Sequence, residues 1–120
     1  MVFIAYAGLV TWLSLMPSAM VPSSPVRIPH LDKIAHTCFY LGFTILAWWM
    51  VSSRLKPRTA RRWVVITAFG YGAMLEILQY LMKGGRAFSL GDMAANGFGV
   101  LLGVLLVSVW HAGLRAADPA

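Results

Sequence analysis

Long apolar stretches separated by short polar segments dominate the chain. They cover about residues 2–17, 34–51, 63–82 and 93–111. The last three approach the ~20 residues needed to cross a hydrocarbon core ~30 Å thick. None alternates apolar and polar residues with period two, and helices then remain as the way to satisfy backbone polar groups in lipid. The pattern predicts an all-α membrane protein, a bundle of four transmembrane helices forming a single domain over residues 1–120.

Composition excludes the soluble classes. Hydrophobic residues make up 59% of the chain and charged residues 12%, against about 25% charged residues in an ordinary globular domain. A soluble domain this small could not bury so much apolar surface. The net charge of +6 does not indicate a nucleic-acid partner, because the basic residues cluster between apolar runs instead of covering a hydrated face. We expect membrane lipids as partners and no nucleic acid.

The first stretch and the single cysteine each lead to an expectation. The first stretch is the shortest and ends at Pro17, and no Lys or Arg precedes Arg27. Since the charged front of a secretory signal peptide is absent, we expect a retained helix. Cys38 rules out an internal disulfide, and its apolar surroundings in the sequence predict a small buried side chain.

The distribution of basic residues predicts the orientation. With four spans, the second connection lies on the same side as both termini. That side carries Arg54, Lys56, Arg58, Arg61, Arg62 and Arg115. The other side carries Arg27, Lys33, Lys83 and Arg86. The positive-inside rule then predicts a multi-pass protein of the bacterial cytoplasmic membrane with both termini in the cytoplasm.

Polar residues gather at the opposite, outer end of the predicted bundle. Asp32, His36 and Tyr40 are spaced to share one helix face. Pairs with helical spacing recur in the third and fourth stretches. The predicted ligand-binding residues are Asp32, Lys33, His36, Tyr40, Glu76, Gln79, Arg86, Asp92 and Asn96.

Most of these residues also have a structural explanation. Ser89 and Asp92 have the spacing of a helix capping box. Asn96 could form an interhelical hydrogen bond, helped by close helix approach at Gly99 and Gly103. Other polar residues of the group could anchor the chain at the membrane interface or extend towards the headgroups.

Glu76 is the hardest of them to explain structurally. A carboxylate well inside a span costs roughly 2.5–3.5 kcal/mol on insertion scales. We therefore expect Glu76 to face the bundle interior with a partner, for which Arg86, Lys33 and His36 are the candidates. The preferred expectation is an ionised Glu76 paired with Arg86 or Lys33.

These residues resemble the motifs of the VanZ-like family of small bacterial membrane proteins. The matching pieces, in order, are Ser14 to Pro17, Asp32-Lys33 with His36 and Tyr40, Glu76 with Gln79, Arg86 with Phe88 to Leu90 and Asp92, and Asn96 with Gly99 and Gly103. The resemblance implies an integral membrane protein of the cell envelope, a family linked in some members to glycopeptide (teicoplanin) resistance. It implies no agreed reaction.

Three functions follow from the residues and the resemblance. The first is an accessory protein that binds an envelope lipid or lipid-linked cell-wall precursor in an outward-facing polar pocket. There, basic groups would contact phosphate or carboxylate. Another is a structural role, in which the polar group only locks helices together. Transport would require a homo-oligomer to build a pathway, and homo-oligomerisation stays open.

The remaining function is that of a membrane enzyme acting on a lipid-linked envelope substrate. His36, Glu76 and Asp92 are the catalytic candidates, with His36 and an acid serving as general acid and base. Asp, His and Glu could also hold a divalent metal. No H-E-x-x-H motif is present, so the enzyme hypothesis ranks below the binding hypothesis. We expect no metal site and no cofactor.

Overall fold

The computed structural model describes residues 1–20, 29–82 and 88–118 and consists of helices. The helices are α1 (Val2–Leu15), a 3-10 turn (Ser18–Met20), α2 (Leu31–Ser52), α3 (Pro57–Leu81) and α4 (Leu90–Ala117). No strand occurs in these three ranges. Helices α2, α3 and α4 are long and apolar enough to cross a membrane, and α1 is a shorter apolar helix. The predicted all-α membrane fold is confirmed.

The helix ends differ from the limits of the apolar stretches for local reasons. Helix α1 ends at Leu15, where Met16 turns to extended backbone with φ −60° and ψ 130°. A residue before proline avoids helical backbone angles, and Pro17 follows. Helix α3 begins at Pro57, six residues before the apolar stretch, because proline is well tolerated in the first helical turn. Most of the basic segment therefore belongs to α3, and residues 53–56 form the connection.

Helices α2 and α4 make the most extensive helix contact in the molecule. Glycines on α4 permit it. A Cβ atom on Gly99 would collide with the backbone carbonyl of Thr37, and one on Gly103 would lie 2.6 Å from the Thr44 Cβ. The close approach expected from the Gly99–Gly103 spacing is confirmed. In the described ranges, α1 contacts α2 and α3 but not α4.

Aromatic side chains fill the space between α1, α2 and α3. Phe43 contacts Phe3 edge-on and stacks on Tyr71, with ring centroids 4.9 Å apart in both pairs. Tyr40 packs beside Phe43 and Tyr71. Each such pair adds about 0.5–1.5 kcal/mol beyond the burial of its area. These aromatic contacts hold α1 against α2 and α3.

The surface of the bundle is apolar and several of its buried positions are polar. Large exposed side chains include Trp12, Trp49, Ile66, Leu101 and Trp110. Buried polar side chains include Ser14, Thr44, Glu76, Gln79 and Asn96. This distribution is typical of a protein whose surrounding solvent is lipid. Cys38, expected to be buried, lies instead on the outer surface, because its position on α2 faces away from α3 and α4.

Candidate functional site

Three side chains from three helices converge at one end of the bundle. His36 of α2, Glu76 of α3 and Asp92 of α4 each offer one ligand atom, and these atoms lie within 4.8 Å of one another. Glu76 is 2% exposed, and the side chains of His36 and Asp92 are 13% and 19% exposed. We call these three residues the polar cluster. Its most buried member, Glu76, is the residue whose position within an apolar stretch was hardest to explain from the sequence.

The helix directions explain why these residues meet. Helices α2 and α4 begin at this end of the bundle and α3 ends there, so early residues of the first two lie level with late residues of α3. The first turn of α4 is secured by Ser89, whose Oγ accepts a hydrogen bond from the Asp92 backbone N–H at 3.1 Å. The Ser89 half of the expected capping box is thus present. It leaves the Asp92 carboxylate directed at His36.

Asn96 orients His36. The Nδ1–H of His36 donates to Asn96 Oδ1 over 2.8 Å, so that Nε2 is the nitrogen facing Asp92. The distance from Nε2 to Asp92 Oδ2 is 3.8 Å, which is too long for a hydrogen bond. In the neutral imidazole this bond to Asn96 leaves the Nε2 lone pair open towards Asp92.

Lys33 and Asp32 lie at the rim of the polar cluster. Lys33 Nζ is 3.2 Å from Asp32 Oδ2 and 3.7 Å from Asp92 Oδ1. The Asp32 side chain is 61% exposed, so it contributes to the rim and not to the buried part. Exposed pairs of this kind are worth about 0–1 kcal/mol. Their main effect is to keep a cation beside the Asp92 carboxylate.

Gln79 and Tyr40 flank the polar cluster. Gln79 Nε2 donates to the backbone carbonyl of Ser14 and so links α3 to α1. Tyr40 is buried deeper, with its ring against Gly72 of α3. Both residues therefore support the position of α3.

Arg86 lies outside the described residues, so its expected pairing with Glu76 stays a prediction. The described chain stops at Met82 and resumes at Phe88 at the same end of the bundle as the polar cluster.

Sequence reasoning missed a second polar group, located midway between α1 and α3. The Tyr71 hydroxyl donates to the Ala7 carbonyl at 2.7 Å and also contacts the Thr11 hydroxyl. Tyr6 donates to the Phe39 carbonyl at 2.9 Å and links α1 to α2. Hydroxyls within apolar stretches were the available signal, since such groups need partners in lipid.

A family model described as VanZ/LLP1 matches residues 3–111, nearly the whole chain. The chain belongs to the VanZ-like family. Neither the curated proteins nor the solved structures contain a significant match to it. The VanZ-like region begins in α1, ends in α4 and includes the entire polar cluster, and the resemblance noted in the sequence is confirmed.

The polar cluster of this VanZ-like protein combines three chemical capacities. It offers two carboxylates, an oriented imidazole and a nearby ammonium group within a region of apolar packing. Electrostatic interactions there are less weakened than in water, because the effective dielectric constant is low. The arrangement could bind a charged headgroup, transfer a proton or hold a cation.

Proposed function

We propose that this VanZ-like protein binds the headgroup of an anionic envelope lipid or lipid-linked peptidoglycan precursor at the outer end of its bundle. The proposal includes a location in the bacterial cytoplasmic membrane, with both termini cytoplasmic and the polar cluster facing outwards. The supporting observation is the convergence of His36, Glu76 and Asp92 from three helices. Burying two carboxylates beside lipid is costly, and a purely structural link would not need so many ionisable groups.

The composition of the rim suits such a headgroup. Lys33 is available to a phosphate at the rim, and an imidazole can add a second donor. The carboxylates can accept from amine or hydroxyl groups, as a peptide-bearing or sugar-bearing headgroup would offer. Arg86 is proposed as a further phosphate ligand, because its planar guanidinium can donate to two oxygens at once.

Mass spectrometry of lipids that copurify with the protein tests this function. Wild-type protein extracted from its membrane should carry a distinct anionic envelope lipid, enriched over the bulk lipid composition. The Glu76→Gln variant, purified in parallel at equal yield, should lose that enrichment. Equal lipid content in the two proteins would contradict the proposal.

The family resemblance extends the proposal to antibiotic susceptibility. If the ligand is a peptidoglycan precursor, expression of the wild-type chain should change the minimal inhibitory concentration of teicoplanin. The Glu76→Gln chain, at matched membrane abundance, should not. An identical concentration for wild type, variant and empty vector would separate this chain from a resistance role.

A membrane enzyme is the second candidate, and the orientation of His36 supports it. Its Nε2 faces Asp92 while Nδ1 is held by Asn96, an arrangement in which a carboxylate and an imidazole could serve as acid and base. Incubation of purified protein with lipid II, followed by mass analysis of the lipid, separates the two functions. Unchanged lipid supports binding alone, and a product absent with His36→Gln supports catalysis.

A further inference from the structure

We propose that the polar cluster is a binding site for a divalent first-row transition metal ion, with His36, Glu76 and Asp92 as its protein ligands. One nitrogen and two carboxylate oxygens from three helices lie within 4.8 Å of one another. The cation site depends on these side chains alone. Its use as a bridge to a lipid phosphate rests on the proposed function.

The hydrogen bond to His36 is the arrangement that metal-bound histidines usually show. In such sites the ring nitrogen that does not bind the metal donates to a carbonyl or carboxylate oxygen, which fixes the tautomer and the ring orientation. Here Nδ1 donates to Asn96 Oδ1 at 2.8 Å. The remaining nitrogen, Nε2, faces Asp92. Asn96 therefore acts as a positioning residue for the proposed ligand.

Asp92 provides an independent indication. Its Oδ1 atom is buried and accepts no hydrogen bond from the described residues, since Lys33 Nζ is 3.7 Å away. Oδ2 is 3.8 Å from His36 Nε2. Lys33 is the cation beside Oδ1, and the 3.8 Å between Oδ2 and His36 Nε2 is too long for a hydrogen bond. A cation between Oδ2 and Nε2 would contact the acid through the oxygen that Lys33 does not approach.

Charge favours a divalent ion over a monovalent one. Two neighbouring carboxylates in a region of low dielectric constant repel each other, and a 2+ ion balances both. The ammonium group of Lys33 lies at the rim, 3.2 Å from Asp32 Oδ2 and 3.7 Å from Asp92 Oδ1.

The distances set the class of metal. Ligand atoms bound to one Zn²⁺ ion at ~2.1 Å lie at most ~4.2 Å apart. The pair formed by His36 and Asp92 already satisfies this limit, and the widest pair in the cluster needs to close by roughly half an ångström. Imidazole together with carboxylate suits Zn²⁺ and its neighbours better than Mg²⁺ or Ca²⁺.

Three protein ligands leave a coordination position open. In zinc proteins such an open position is taken by water or by an oxygen of the substrate. At the outer end of this bundle it could accept a phosphate oxygen. A bridging cation would explain how a cluster with two acids binds an anionic headgroup.

Zn²⁺ binding to the full chain in detergent micelles, measured by competition with a chromophoric chelator, tests the site. Wild-type protein should bind one Zn²⁺ per chain. Glu76→Gln, Asp92→Asn and His36→Gln should each weaken binding by at least about 100-fold, and Asn96→Ala by about 10–100-fold. Helical circular dichroism and a single size-exclusion peak establish that each variant is folded.

The controls remove equivalent groups elsewhere. His30→Asn removes an imidazole at the same end of the bundle, and Asn tolerates the left-handed backbone of that position, where φ is 59°. Asp118→Asn removes an acid from the end of α4. Both variants should bind Zn²⁺ as the wild type does. X-ray absorption of the wild-type complex should show only nitrogen and oxygen neighbours, with one imidazole.

The results separate the cation site from the lipid function. Absence of Zn²⁺ binding by the wild-type chain, or equal affinity in the three ligand variants, overturns the site. Zn²⁺ binding without enrichment of any lipid supports the site and contradicts the proposed function. Lipid enrichment that survives EDTA in a protein without Zn²⁺ affinity supports the function and overturns the metal.

Discussion

Glu76 lies five residues before the last residue of α3, about 7.5 Å along the helix axis at 1.5 Å per residue. A carboxylate at that depth on a lipid-facing side of the helix would be costly. Burial at 2% exposure places it inside the bundle instead. A binding site and a structural link between helices predict different results when this carboxylate loses its charge. The first predicts lower ligand affinity, and the second predicts lower stability.

The Glu76→Gln variant distinguishes those two roles. Gln keeps the shape of the side chain and removes the charge, so the desolvation cost of the carboxylate also disappears. We expect its free energy of unfolding in SDS titrations to change by less than about 1 kcal/mol. Lipid affinity should fall by about tenfold or more, as expected for loss of a charged contact.

Tyr71→Phe provides the matched control for the Glu76 experiment. It removes the hydrogen bond from the Tyr71 hydroxyl to the Ala7 carbonyl, which involves no residue of the polar cluster. It should lower stability by about 0.6 kcal/mol, a typical value within membranes, and leave lipid affinity unchanged. The reverse pattern, in which Glu76→Gln loses stability but keeps full affinity, would identify a structural lock.

Arg86 supplies a second test at the residue scale. If its guanidinium bridges a carboxylate and a ligand oxygen, lysine cannot replace it, because an ammonium group lacks the planar two-pronged geometry. We expect Arg86→Lys to lower lipid affinity by about tenfold at unchanged net charge. Affinity equal to that of the wild type would show that Arg86 attracts headgroups by its charge alone, which lysine also supplies.

The helices show which features hydropathy can predict. Apolar stretches predict the number of helices and the end at which polar residues collect, because both depend on the order of residues along the chain. The rotation of each helix about its axis depends on packing between helices. Cys38 was therefore assigned to the wrong side of α2, and Asp32 proved to be a rim residue.

The partners of the buried residues were also beyond the sequence. The bond from His36 to Asn96 joins positions 60 residues apart, and it forms because glycines let α2 and α4 approach closely. Likewise, α3 starts at Pro57 because the charged residues that follow continue the helix. A hydropathy pattern ends a predicted span at the first charged residues, so it does not detect a helix that continues through them.

The contact between α2 and α4 gives a prediction at the scale of elements. Gly99→Ala places a methyl group against the Thr37 backbone carbonyl, and backbone cannot move aside cheaply. We expect a loss of about 1–3 kcal/mol in the free energy of unfolding. Metal and lipid affinity should fall as well, since α2 carries His36 and α4 carries Asp92.

Gly70→Ala is the control for this packing change. Gly70 lies within α3, and nothing is found within 4 Å of a Cβ built on it. Since alanine favours helix over glycine by about 0.8–1.0 kcal/mol, this variant should be at least as stable as the wild type. Similar losses in the two variants would show that α2–α4 contact is not set by Gly99.

At the scale of the molecule, the bundle has one polar end and a belt of apolar side chains around it. Its longest dimension is 56 Å, enough to cross a bilayer whose full thickness is ≈ 40–45 Å with headgroups. The basic residues near the connection between α2 and α3 then lie on the side opposite to the polar cluster. Orientation thus determines whether the cluster meets the outer leaflet.

Single-cysteine labelling tests that orientation. In a Cys38→Ala background, Ser53→Cys marks the connection between α2 and α3, and Phe88→Cys marks a position two residues before α4. An impermeant thiol reagent applied to intact cells should label position 88 and spare position 53, as the positive-inside rule requires. Labelling of position 53 alone would show the opposite orientation, with the polar cluster on the cytoplasmic side.

The most direct test of the polar cluster as a ligand site is nitrogen NMR of the histidines in the intact chain. The described histidines report on different places: His36 in the polar cluster, His30 at the exposed start of α2, and His111 near the far end of α4. A short-chain phosphatidic acid is titrated into micelles near pH 8, where imidazoles are largely neutral, with short-chain phosphatidylcholine as the comparison. The account predicts a saturable shift of the His36 nitrogens with the anionic lipid, and no such shift for His111. Unchanged His36 signals, or equal shifts of His36 and His111 with both lipids, would contradict it.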